Sequence, residues 1–168
     1  MKYLSSVVFM LVMFACGNKA PKQPADQNEV VKAQVNQSPQ SSLTACELLN
    51  EDVIKQYYPG ASAFKKDTKN DSYELCTYLF EVSGVNQYAG LTISRGGGYE
   101  KKLDSSVKYF PQKEEVDGFE NKAYYIPATG QISTWIGDDL VHMSVTVKGS
   151  GDKAMAITMT KDILAKMK

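Results

Sequence analysis

The chain has 168 residues with 19 Lys plus Arg against 19 Asp plus Glu, a formal charge of zero. That balance excludes the basic excess that marks nucleic-acid binders, and 43% hydrophobic with 23% charged content is that of an ordinary globular protein. No run reaches the roughly 18 apolar residues of a membrane-crossing helix, and the length predicts one folded domain.

The first fifteen residues depart from that average. Lys2 supplies a short positive region, and residues 4–15 are apolar apart from Ser5 and Ser6, the size of a signal-peptide core and too short for a stop-transfer anchor. Met13-Phe14-Ala15 then lead directly into Cys16. This stretch resembles the signal of bacterial lipoproteins, in which the cysteine thiol receives a diacylglyceryl group and the chain is cut just before it. The resemblance implies lipidation at Cys16. It also implies the outer membrane, because Gly17 is not the aspartate that retains such proteins in the inner membrane, and a domain facing the periplasm. Residues 17–42 hold no aromatic side chain and are rich in Gln, Asn, Pro, Ser, Ala and Lys. Such a segment buries too little apolar surface to repay its ordering entropy, which predicts a disordered tether. As a flexible coil it would span roughly 28 Å. Residues 1–15 therefore read as a signal peptide, 16–42 as a lipid-anchored tether and 43–168 as the folded domain.

Within the domain, "LTACELLNEDVIKQYYPG" opens with Thr44 and Glu47 at capping-box spacing, with Leu43 and Leu48 placed as a hydrophobic staple. Leu49, Val53 and Tyr57 continue at helical spacing to the stop at Pro59-Gly60, and Asn50 offers a cap for a second short helix. Residues 65–72 read as a polar connection. Residues 73–83 and 88–95 read as a strand pair, with Cys76, Tyr78, Phe80 and Val82 on one face of the first and Ala89, Leu91 and Ile93 on one face of the second. "RGGGYEKKLDSSVKYFP" predicts a glycine turn and then a helix carrying Tyr99, Leu103, Val107 and Phe110 on one side. Three strands follow, at 122–126, 131–136 and 140–147, joined by turns rich in Gly, Asp and Pro. A last helix presents Ala156, Met159, Ile163 and Met167. The order α-β-β-α-β-β-β-α predicts an α+β fold. It would be a two-layer sandwich with an antiparallel sheet of about five strands and two to three helices.

Two cysteines remain, Cys46 in the first helical turn and Cys76 on the inner face of a strand. In an exported chain they predict a disulfide, whose loop closure would contribute roughly 3 to 4 kcal/mol. No C-x-x-C occurs and the chain holds a single histidine, so neither a metal centre nor a redox pair is expected. The words "ACELL", "ELCTY", "GFENKAYY" and "GDDLVHMSVTV" are similar to those of cysteine-stapled domains in bacterial lipoproteins of unknown function. Those domains have a C-x-L-L helix, a C-x-Y strand and a G-x-G-x-x-A-like turn, of which the second glycine is missing here. The resemblance implies a fold similar to PsbP-like domains and no enzymatic activity.

Candidate chemistry is sparse. Gly96, Gly97 and Gly98, between a strand and a helix, are placed to aim N–H groups at a phosphate, but they match neither established phosphate-loop spacing and read first as a turn. His142 must carry any acid–base scheme, yet it alternates with Ser144 and Thr146 on what reads as the solvent face of its strand. Trp135, the only tryptophan, lies on the opposite side of its strand from Ile132, Thr134 and Ile136, so one of those faces is expected to be partly exposed and open to a partner, glycan or lipid. The expectation is a non-enzymatic, membrane-tethered binding module without a cofactor, whose partner is a protein or small molecule of the envelope and not nucleic acid. The alternatives are a small envelope hydrolase working through His142 and a purely structural envelope protein.

Overall fold

The computed structural model describes residues 42–96 and 100–168. Cys16, Gly97, Gly98, Tyr99 and the signal and tether assignments for residues 1–41 lie outside them.

The first helix α1 (Ala45–Leu48) carries the expected capping box: the Thr44 hydroxyl accepts from the Glu47 N–H, and Glu47 Oε2 accepts from the Thr44 N–H at 2.7 Å. Leu48 is fully buried while Leu43 stays exposed. The chain breaks at Asn50, whose side chain accepts from the Val53 N–H at 3.0 Å and caps α2 (Glu51–Tyr57). Cys46 and Cys76 form the disulfide, with their Cα atoms 5.1 Å apart.

The sheet is larger than five strands. Its order is β1 (Ser62–Asn70), β2 (Glu74–Val82), β3 (Val85–Ser94), β7 (Asp139–Val147), β6 (Gln131–Ile136), β5 (Tyr124–Ile126) and β4 (Glu114–Glu115), with β8 (Ser150–Gly151) paired to the end of β7. All the pairings are antiparallel. The stretch read as a polar connection is largely β1, an edge strand paired with β2 from Ser62–Glu81 to Asn70–Glu74. Every β1 side chain except Phe64 is exposed, so no alternation announced it, and its strand character comes from pairing with the β2 edge. A register shift near Ala63 turns Phe64 inward, where its ring stacks 5.6 Å from Phe80. β4 and β8 are two residues each, too short for periodicity to reveal. Gly130 sits where β6, β7 and β8 converge: at φ +60 its missing β-carbon would fall 2.2 Å from the Val145 carbonyl oxygen. Only glycine fits there.

Register aligns Cys76, Leu91, Met143, Ile132 and Tyr125 as one buried row across β2, β3, β7, β6 and β5. Leu48, Leu49 and Ile54 pack on that face together with Ala156, Met159, Ile163 and Met167 of α4 (Lys153–Lys166). The chain thus contains four helices among its described residues. One of them, α3 (Glu100–Val107), packs on the opposite face, where Leu103 and Val107 meet Tyr124, Ile126 and Leu140. The two-layer expectation therefore fails at the β4–β5–β6 end, which has helices on both faces. A helix stripe read from sequence demands a partner surface but does not say which face of the sheet supplies it.

Candidate binding cleft

The cleft arises where a strand ends early. β5 pairs with β6 only over Gln131–Ser133, which leaves the edge of residues 134–136 to the preceding loop. That loop supplies substitutes for strand pairing: Asn121 Nδ2 donates to the Trp135 carbonyl at 3.0 Å, and Thr134 Oγ1 donates to the Lys122 carbonyl at 3.0 Å. Residues 118–121, the end of β6 and the last turns of α4 enclose a cleft of about 160 Å³. Phe119, Ile136, Leu164 and Ala165 give it apolar walls, and Lys161 and Lys168 line it as cations.

The two lysines are differently placed. Lys168 is paired with Glu120 at 2.7 Å. Lys161 lies 5.2 Å from the Phe119 ring centroid, and no carboxylate of the described residues is within ion-pair distance of it. It lies next to Gly118, at φ +80, where a β-carbon would stand 2.8 Å from Lys161 Nζ, a contact the flexible lysine tip could relieve by moving.

Neither protein-family models nor curated proteins nor solved structures match this chain.

Trp135 lines the cleft, but it also packs against the cluster built around Leu103 and Leu140. Both faces of β6 are covered there, so the choice between an exposed tryptophan and exposed isoleucines does not arise: Ile132 is fully buried and Trp135 and Ile136 are half-buried. His142 is not on an open solvent face either. It is half-buried, and its Nδ1 is hydrogen-bonded to Ser133 Oγ at 2.9 Å and Gln131 Nε2 at 3.1 Å. Burial pushes its pKa down from 6.5 to about 4, so the ring is neutral near pH 7. With Gln131 as donor, Nδ1 is the acceptor and the proton sits on Nε2. This Ser–His contact has the distance of a nucleophile–base pair, yet Ser133 is fully buried and its hydroxyl also receives the Gln131 amide at 2.7 Å. Such a hydroxyl has no route to a substrate.

Gly96 is likewise engaged. Its N–H donates to Asp139 Oδ1 at 3.2 Å, so a carboxylate stands where a phosphate would have to bind. Asp139 Oδ2 accepts from Arg95 Nη1 at 2.7 Å, and Arg95 Nε donates to Glu74 Oε1 at 2.8 Å. The same guanidinium bonds the Leu43 carbonyl, and Glu74 Oε2 accepts from the Ala45 N–H at 2.8 Å. Burial alone would raise the Glu74 pKa, but Arg95 and the Ala45 N–H outweigh it and hold the carboxyl below its ordinary value. This cluster joins the start of α1 to β2, β3 and β7 and serves as a structural clasp.

Of the candidate contacts Gly96, His142 and Trp135 among the described residues, Trp135 alone lines the cleft. Phe119, Asn121, Lys161 and Leu164 come from segments about forty positions apart. The "GFEN" word was the only local signal of them.

Proposed function

We propose that this chain is a lipid-anchored envelope protein whose folded domain acts as a non-enzymatic binding module. The observation that carries the reading is the cleft between residues 118–121, β6 and α4, which combines apolar walls with a cation that has no carboxylate partner among the described residues. Small-molecule sites characteristically pair an apolar lining with a few placed polar groups. The lipobox-like Met13–Cys16 stretch and the polar residues after it support attachment at the outer membrane with the domain facing the periplasm. The cysteine-stapled, PsbP-like resemblance favours binding over catalysis.

The hydrolase reading has one observation behind it, the 2.9 Å Ser133–His142 contact. Against it stands the burial of Ser133.

Crosslinking in intact cells tests the proposal. A photoreactive residue replacing Ala165, exposed beside the cleft, should give a discrete adduct, whereas one replacing Lys108 at the far helix should not. Equal labelling from both positions, or none from Ala165, would sink the binding reading at this cleft.

A further inference from the structure

We infer that the cleft takes a small apolar carboxylate, with the acid on Lys161 and a body of about one ring's size against Phe119, Ile136 and Leu164. The inference rests on the binding reading above and adds the class of ligand.

Size comes first. About 160 Å³ is close to the roughly 150 Å³ of an apolar cavity that accepts benzene, and well below the 300 Å³ and more of sites for drug-sized ligands. A single aryl or branched alkyl group fills it; a sugar chain or a nucleotide does not. Wall chemistry agrees, because Phe119, Ile136, Leu164 and Ala165 offer no hydrogen bonds from their side chains.

Charge then selects the polar end. Among the lining residues Glu120 is the only acid, and Lys168 neutralises it at 2.7 Å. Glu115 and Asp117 line an adjoining groove that shares residues 118–121 with the cleft, and neither lies within ion-pair distance of Lys161. Lys161 remains as the uncompensated charge of the cleft. A cationic ligand would meet it as a like charge, and a neutral one would leave it without a counter-ion. A carboxylate gives it a charge-assisted partner. That ammonium lies 5.2 Å from the Phe119 ring centroid and next to Gly118. Asn121 adds a second polar contact. One N–H of its amide is used by the Trp135 carbonyl at 3.0 Å, and its carbonyl oxygen can accept from a donor on the ligand. A carboxylate flanked by an N–H, as at the C-terminal residue of a peptide, would use Lys161 and Asn121 together. A free aryl or alkyl acid has no such N–H and would leave that carbonyl oxygen unused.

The test is a two-dimensional amide NMR titration of the full chain carrying Cys16→Ser and produced in an oxidising compartment. The probes are 3-phenylpropionate, its neutral amide and N-acetyl-phenylalanine. Both acids should shift signals of residues 118–121, 134–136 and 161–168 saturably, while the amide should bind at least fivefold more weakly. Lys161→Gln, a change at an exposed helix position, should reduce both acids to the affinity of the amide. Tighter binding of N-acetyl-phenylalanine, lost in Asn121→Ala, would identify a peptide C-terminus; equal binding of the two acids would identify a free acid. Equal binding of acid and amide, or acid binding unchanged in Lys161→Gln, would overturn the carboxylate class and leave the cleft as a binding site. Failure of every probe to saturate would overturn it too, and crosslinking from Ala165 would then decide separately whether the cleft binds anything.

Discussion

Acidification should weaken this fold through His142, and the size of the effect follows from its surroundings. The ring is neutral in the folded chain, with its pKa pushed down by burial to about 4 from 6.5. An unfolded chain returns it to the ordinary value, so between those two pH values the unfolded state binds the proton more readily. Stability from this group is therefore fully present above pH 6.5 and is lost as pH falls toward 4. At about 1.36 kcal/mol per pKa unit the full loss is at most about 3 kcal/mol, with roughly 2 kcal/mol gone by pH 5. His142→Gln keeps a hydrogen-bonding side chain beside Ser133 and Gln131 but removes the titration. Urea unfolding of both proteins from pH 7.5 to 4.5 isolates the term, since other titrating groups cancel in the difference. The gap between wild type and variant should shift by about 2.5 kcal/mol in the variant's favour across that range. Parallel curves, or an imidazole signal titrating near pH 6.5 in the folded protein, would refute the burial reasoning.

Three further outcomes follow from the packing. Replacing both Cys46 and Cys76 with alanine should cost about 3 to 4 kcal/mol by loop-closure entropy, read as a lower urea midpoint; an unchanged midpoint would mean that no bond forms. Arg95→Met should cost about 3 kcal/mol, because it removes the cation from the almost fully buried Asp139 carboxylate and from Glu74. The Glu74 part of the loss should lessen at low pH, since, against the effect of burial, Arg95 holds that carboxyl below its ordinary value. Tyr58→Phe should leave stability unchanged or raise it by about 1 kcal/mol, since the buried hydroxyl has no hydrogen-bond partner among the described residues while the ring keeps its contact with Phe80 at 5.3 Å. A clear destabilisation, measured in the same unfolding assay, would show that the hydroxyl is satisfied.

Legibility in the sequence followed the locality of the physics. The capping box at Thr44–Glu47, the cap at Asn50 and the buried faces of β2, β3 and α4 were readable because each depends on residues a few positions apart. β1 was not, because its charged side chains face water and pairing with β2 is what makes it a strand. The side of the sheet taken by α3 was equally hidden, and with it the partial burial of Trp135. The cleft required the early end of β5, which exposes the edge of β6 to Asn121. Lys161 looked like any lysine on an exposed helix face. Its interest comes from Phe119 and Gly118, more than forty residues earlier.

The central claim, a disulfide-bonded binding domain carried on a lipid anchor, is tested most directly by the intact mass of the mature protein recovered from membranes. The mature protein should begin at Cys16, be heavier by a thioether-linked diacylglyceryl group and further acylation, and be lighter by the two hydrogens of the Cys46–Cys76 bond. A protein found in the soluble fraction, with an unmodified N-terminus elsewhere or both cysteines reduced, would contradict it.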